Sequence, residues 1–401
     1  MRTILIIVCF FALNSAIGQT TYVAVNEKLK KIENGIVEFS SVESIINPEK
    51  FDSPNKKTIE ERMKALKVPG VSVAIFDENG IVYPLTFGIL KEGSDTRVTD
   101  KTIFQAASTS KLVTSLIVLH YVQNKLLDLD EDVNKYLKRW RVPDNEFTKR
   151  NKVTLRLLLT HQSGLPATNF MVDITGAVPT LLNVIKGESP AINKPAIPVI
   201  EPGTQWEYSN IGYVLIQLVL EDITGKPFPE IAKEVVFKPL KMRSSTFTYP
   251  LNKDWEKREA MPHDENGKFA EPAMDKYAVA HGGLMTTPTD LALFAIEIMN
   301  AYQGKSAKII SKEYARELLN KELDLDPKMF GLPIGEGLGV MLMDKGNNVL
   351  FTHPGSNLPG SNCWLIASPQ TGKGAIVMTN GAGGEILEIE IITAISKEFE
   401  W

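Results

Sequence analysis

The chain has 401 residues, 43% hydrophobic and 23% charged, with 44 basic side chains against 48 acidic ones and a formal charge of −4. This is ordinary globular usage and enough length to bury a substantial core. Mild acidity without a basic patch excludes nucleic acid as an expected partner. The first residues place Arg2 before an apolar run from Ile4 to Leu13, then the small residues Ser15, Ala16 and Gly18. That order predicts a signal peptide over residues 1–18 and export, to the periplasm or the medium. The run is too short to span a bilayer, so no stable membrane insertion is expected after cleavage. Of the two cysteines, Cys9 lies in this run. Cys363, left alone, forms no internal disulfide and reads as a small buried hydrophobe on a strand.

Residues 19–57 are polar and mixed and read as a lead-in, followed by one domain over 58–401. A helix is expected from Thr58, with Glu60 and Glu61 in its first turn, to Pro69. Residues 71–76 and 81–87, separated by Asp77 to Gly80, predict an antiparallel hairpin. From Gln105 to Trp140 the texture is helical, with Leu112, Leu116, Leu119, Val122 and Leu126 at three- and four-residue steps. Proline- and glycine-rich loops dominate 160–210, and a helix is expected over Thr289 to Ala301. Strands return at 338–342, 349–351, 363–367 and 375–378, and a closing helix runs from about Glu385 to Glu398 with Ile386, Ile389, Ile392 and Ile395 as its stripe. The assembly this predicts is an α/β fold of the α+β type. One antiparallel sheet is built from both chain ends and flanked by helices, with a mostly helical subdomain inserted over about 105–300. Clefts at such seams are common ligand sites.

Ser108-Thr109-Ser110-Lys111 carries the chemistry. Residues three apart share a helix face, so Ser108 and Lys111 can touch. A serine hydroxyl needs a base to take its proton, and a lysine serves only when neutral, which a desolvated pocket favours. The following Leu112, Val113, Leu116, Ile117 and Val118 predict a helix buried all round, which supplies that desolvation. Free N–H groups at the helix start also face a developing oxyanion. Alone the pattern is weak: Ser53-Pro54-Asn55-Lys56 matches it in a proline-bearing loop.

The surroundings decide between the two. Phe104-Gln105 stands before Ser108, Thr160-His161-Gln162-Ser163-Gly164-Leu165 follows, and then come Tyr208-Ser209-Asn210 and His353-Pro354-Gly355. In these motifs and their order the chain resembles the superfamily of class C β-lactamases, penicillin-binding proteins and esterases, from about Glu60 to the C-terminus. The resemblance implies a β-lactamase/transpeptidase-like fold and an acyl-enzyme on Ser108. It implies catalytic roles for Ser108, Lys111 and Tyr208, with the tyrosine sharing the proton and passing it to the leaving group. It also implies substrate-binding roles for Asn210, whose amide would hold Lys111 and the acyl side, and for His353, Gly355 and Ser356. His353 would orient substrate, and the Ser356 backbone N–H would be the second oxyanion donor. Gly282-Gly283-Leu284-Met285, Thr287, Asp290, Asn357 and Gly360 would shape the cleft.

One departure bears on substrate. Pro354 stands where β-lactam-binding members have a threonine that reaches the substrate carboxylate, and proline offers neither hydroxyl nor N–H. The expected activity is therefore hydrolysis of a small-molecule or peptide ester or amide. A D-amino-acid peptidase or β-lactamase is the alternative within enzymes, and a non-catalytic peptide or cell-wall-fragment binder of the same fold is the alternative outside them. The expected hydrophobic acyl pocket draws on Leu165, Pro166, Phe170 and Met171. No Gly-x-Ser-x-Gly elbow, His-Glu-x-x-His pair or phosphate-loop spacing occurs, so no cofactor and no metal are expected.

Overall fold

The computed structural model describes residues 16–38, 41–80, 82–168, 177–272 and 275–400. The apolar run of the expected signal peptide with Cys9 lies outside these residues, as do Ile81, Phe170 and Met171. No helix among the described residues is long and apolar enough to cross a membrane.

Residues expected as a lead-in begin with helix α1 (Ala16–Glu33) and contribute Leu29, Ile32, Ile36 and Ile45 to a buried cluster. Helix α2 (Ile59–Ala65) starts where the sequence predicts. The Thr58 side chain accepts the Glu61 N–H while the Glu61 carboxylate accepts the Thr58 N–H, closing a capping box. Arg62 on α2 is 5% exposed and reaches Glu390 through Nε at 2.9 Å and Nη2 at 2.8 Å. Glu390 lies on the closing helix α6 (Gly384–Phe399), so this buried pair clamps the start of the domain to its end.

Strands β1 (Gly70–Phe76) and β2 (Val82–Gly88) form the expected hairpin. Six more strands come from the other end of the chain: β3 (Leu323–Asp324), β4 (Gly335–Glu336), β5 (Met341–Lys345), β6 (Asn348–Asn357), β7 (Ser361–Ser368) and β8 (Lys373–Thr379). They join in the order β2-β1-β8-β7-β6-β5-β4-β3, and every neighbouring pair is antiparallel. Alternation along β1, β8 and β7 serves two cores. Ala74, Phe76, Cys363, Leu365, Ile376 and Met378 face the helical subdomain, whereas Val73, Ile75, Trp364, Ile366 and Val377 face α6 and the N-terminal segment. With both faces covered, these strands read as continuous apolar runs.

The helical subdomain contributes α3 (Ser110–Gln123), α4 (Asn210–Thr224) and α5 (Pro288–Gln303). The helix expected up to Trp140 ends at Gln123, because Lys125 takes a left-handed φ of 59° and Asp128 and Asp132 turn the chain with side-chain acceptors. Leu126, expected on the buried stripe, is 58% exposed. The strand expected at 338–342 starts three residues later. Gly339 (φ 71°) lies so tightly against α3 and α4 that a Cβ there would stand 2.2 Å from Ser115 Oγ and 2.3 Å from Tyr213 Oη. Strand β6 runs past its apolar part through His353-Pro354-Gly355 to Asn357, beyond the last pairing with β5 at Met341–Thr352. That half of β6 has a neighbour on one side only, the setting in which a strand accommodates proline. Its other side faces Ser108.

Candidate active site

Ser108 sits in a 3₁₀ turn, Ala107–Thr109, that feeds directly into α3. The first ten residues of α3, Ser110 to Leu119, are all buried. Two side chains pin the turn. Thr109 Oγ1 donates to the His353 carbonyl at 2.9 Å, Ser110 Oγ donates to the Ala107 carbonyl at 2.6 Å, and Ser110 Oγ accepts the Leu284 N–H at 3.0 Å. Gly355 packs against the same turn, where a Cβ would lie 2.8 Å from Ser108 N. Any larger residue there would push β6 off the serine.

Lys111 is wholly buried, with Nζ 3.1 Å from Ser108 Oγ and 2.7 Å from the His281 carbonyl oxygen. Burial holds its pKa well below the ordinary lysine value. A neutral amine has two N–H groups and one lone pair. The carbonyl can only accept, so it takes an N–H and leaves the lone pair free to face the serine hydroxyl. The ring of Tyr208 has its centroid 4.9 Å from the amine, and that of Tyr213 lies at 5.5 Å. Burial raises the Tyr208 pKa and keeps the phenol protonated, with the Ser108 side chain pulling the other way.

The second Ser-x-x-Lys has none of this. Ser53 Oγ accepts the Asn55 N–H, and Lys56, half exposed, pairs with Asp52 at 3.5 Å.

His161, in the segment Thr160-His161-Gln162-Ser163-Gly164-Leu165, lies against the tyrosine. Its Nδ1 accepts the Ser209 N–H at 3.1 Å, and its ring centroid is 4.3 Å from that of Tyr208. An accepting Nδ1 and a pKa driven far down by burial make it a neutral ring protonated on Nε2. His353 has the opposite tautomer. Its Nδ1 donates to the Pro354 carbonyl at 2.8 Å, and burial, with Lys111 alongside, pushes its pKa down to about 3.

Asn210 departs from expectation. Its Nδ2 donates to the Thr168 carbonyl at 2.8 Å, and its buried Oδ1 has no partner among the described residues. The acceptor that holds Lys111 is the His281 carbonyl instead. Ser356 Oγ donates to Asn362 Oδ1 at 2.8 Å, which occupies its side chain. Asn357 bridges the cleft wall from Gln105 Oε1 at 3.2 Å to the Gly282 carbonyl at 3.3 Å, and the glycine-rich segment after His281 therefore lies beside the strand that carries His353. Asp290, expected as a cleft former, caps Ser244 and Ser245. Among the described residues, no group of three or more His, Cys, Asp or Glu is arranged to hold a metal ion.

A family profile described as Beta-lactamase matches residues 55–395. Penicillin-binding protein 4 of Amycolatopsis lactamdurans is 28% identical over 335 residues, which cover 80% of this chain and 84% of that protein. The chain spans about half the length of other curated relatives it matches, 46% and 48% in two cases. The octameric penicillin-binding protein homologue from Pyrococcus abyssi superposes with a TM-score of 0.71 at 26% identity, over 85% of this chain and 76% of that one. D-amino acid amidase from Ochrobactrum anthropi SV3 gives 0.66 at 21% identity over 89% and 98%, a likeness of fold. With the matched region running from before α2 into α6 and enclosing Ser108, Lys111, Tyr208 and His353, the chain belongs to the β-lactamase family and is a serine hydrolase.

Proposed function

We propose that this protein is an exported serine hydrolase that cleaves an ester or amide through an acyl-enzyme on Ser108, with Lys111 as general base and Tyr208 as proton carrier. The observation that carries the reading is the fully buried Lys111 amine, 3.1 Å from Ser108 Oγ and without a carboxylate partner among the described residues. Burial disfavours the charged ammonium and holds the amine well below the ordinary lysine pKa, and a neutral amine is a base.

In acylation the Ser108 Oγ–H proton moves to Lys111 Nζ as Oγ bonds the substrate carbonyl carbon and the carbonyl π pair moves onto its oxygen. The Ser108 N–H and the Ser356 N–H stabilise that oxyanion. When the carbonyl reforms, the bond to the leaving oxygen or nitrogen breaks, and a proton from the lysine reaches that atom through the Tyr208 hydroxyl. Deacylation repeats the sequence with water as the nucleophile.

Substrate class follows from His353 and Pro354. A histidine with its pKa near 3 is neutral at working pH and offers no cation to a carboxylate. The proline beside it offers no donor. The favoured substrates are therefore esters or amides without a free carboxylate next to the scissile bond. Asn210, Gly355 and Ser356 line the acyl side in this reading. A fluorophosphonate probe tests the whole proposal: we expect one covalent adduct on Ser108, and folded protein that stays unlabelled is a binder of the same fold.

A further inference from the structure

Taking Lys111 as the base, the direction of its lone pair depends on where the His281 carbonyl stands, and His281 is not held by its backbone alone. Upstream, the loop is fixed by backbone contacts. Gln217 on α4 donates to the Tyr277 carbonyl at 2.6 Å and accepts the N–H groups of Val279 and Ala280 at 2.9 and 3.1 Å. Thr114 Oγ1 on α3 donates to the Ala280 carbonyl at 2.8 Å. Downstream, the N–H groups of Gly282 and Gly283 donate to the Val279 carbonyl at 3.2 and 2.8 Å, closing a turn over His281, and the Gly282 carbonyl accepts from Asn357 Nδ2 at 3.3 Å. Within this turn stands His281, the residue whose side chain adds a further anchor, its Nε2 lying 2.8 Å from Asp275 Oδ2. Both side chains are largely buried, at 14% and 11% exposure. The second carboxylate oxygen, Asp275 Oδ1, is buried with no hydrogen-bond partner among the described residues, which costs folding free energy. The acid keeps that cost while making one directed contact, to the imidazole.

We propose that Asp275 and His281 are a positioning pair for the general base. The Asp275–His281 hydrogen bond fixes the peptide that presents its carbonyl to Lys111 Nζ, and through it aims the amine lone pair at Ser108 Oγ. Neither residue touches the reacting atoms, so both act through Lys111. A misplacement of about 1 Å in such an arrangement is worth roughly a hundredfold in rate.

The test uses the full chain, with the inactivation rate constant kinact and the binding constant KI for a fluorophosphonate probe, and thermal melts as a folding check. D275A removes the acceptor, and kinact should fall roughly ten- to hundredfold while KI stays within about twofold of the parent. D275N keeps an oxygen that accepts the Nε2 proton, so kinact should stay within about threefold. A contact that merely staples the loop would move the melting temperature without splitting kinact from KI. If D275A does not fold, H281Q, whose amide still donates to Asp275, is compared with H281A, and only the latter should lose rate. D275A or H281A with a kinact within about twofold of the parent overturns the proposal, and so does a D275N variant as slow as D275A. A fast K111A variant would instead remove lysine from the mechanism. Slow K111A beside fast D275A removes only the positioning pair.

Discussion

The backbone N–H of Ser209 donates to Nδ1 of His161 at 3.1 Å across 48 residues of sequence, and the same imidazole lies against the ring of Tyr208 with centroids 4.3 Å apart. One side chain thus sets both the path of the tyrosine loop and the tilt of the phenol. His161 itself holds a left-handed φ of 57°. The Glu207 N–H donates to its carbonyl at 2.9 Å, so loop and histidine grip each other twice. We predict that His161→Phe keeps the ring contact but leaves the Ser209 N–H unpaired, at a cost of about 1–3 kcal/mol. A lower melting temperature together with a kcat reduced about tenfold or more on a p-nitrophenyl ester is the expected result. Parent-like kcat would detach His161 from the tyrosine's function.

The central pair gives the largest effects. Lys111→Ala should reduce turnover by about two to four decades, the range for a lost general base, with folding intact. Ser108→Ala should abolish the acyl adduct seen by intact-mass spectrometry, whereas Ser53→Ala should leave it unchanged, because Lys56 is exposed and paired with Asp52.

How much of this was legible beforehand follows from the range of each interaction. Ser108 and Lys111 are three residues apart, and the buried run after them announces a desolvated helix. Strands buried on both faces, such as β7 and β8, print themselves as apolar runs. The partners of Lys111 do not. His281 is 170 residues away and offers a backbone carbonyl, which any residue type supplies. Asn210 shows the converse. Its residue type matches a motif, but its Nδ2 donates to the carbonyl of Thr168, 42 residues earlier, a partner that no local pattern announces. The strand end at His353 to Asn357 was hidden because its residues are polar and one is a proline. Pairing with β7 keeps that segment extended, and the loss of the β5 neighbour opens its other side to Ser108. The N-terminal segment is illegible for a similar reason: Ile32, Ile36 and Ile45 are too few and too spaced to read as a core until α6 covers them.

The pH profile should report lysine and not histidine. Activity needs neutral Lys111, so kcat/KM rises with pH through the lysine's pKa and then levels. That limb lies below the ordinary lysine range because burial disfavours the charged amine. His353, at about 3, is already neutral throughout and contributes no inflection between pH 5 and 8. His353→Gln should therefore alter KM or kcat without moving the limb. A limb displaced in that variant would make His353 the titrating group.

Substrate preference tests Pro354. Short p-nitrophenyl esters should be hydrolysed measurably, and nitrocefin slowly or not at all, because neither His353 nor Pro354 offers a charge or hydroxyl to the β-lactam carboxylate. Fast nitrocefin turnover would overturn this inference while leaving Ser108 and Lys111 untouched.

Glu259 gives a prediction about stability that is independent of catalysis. It is 6% exposed, its Oε1 has no partner among the described residues, and burial, with Glu256 adding to it, pushes its pKa up to about 7. An unfolded glutamate titrates near 4.3. The folded state therefore holds the proton to higher pH than the unfolded state does. The associated stability is fully present below the unfolded value and is lost as pH rises through about 7, by roughly 4 kcal/mol at most. Between those limits the parent's melting temperature should fall with rising pH. Glu259→Gln carries no proton to lose, so its curve should be flatter, and above pH 8 it should melt higher than the parent. Parallel curves for the two proteins between pH 5 and 8.5 would mean that Glu259 ionises without cost, and that its buried oxygen has found a partner on ionisation.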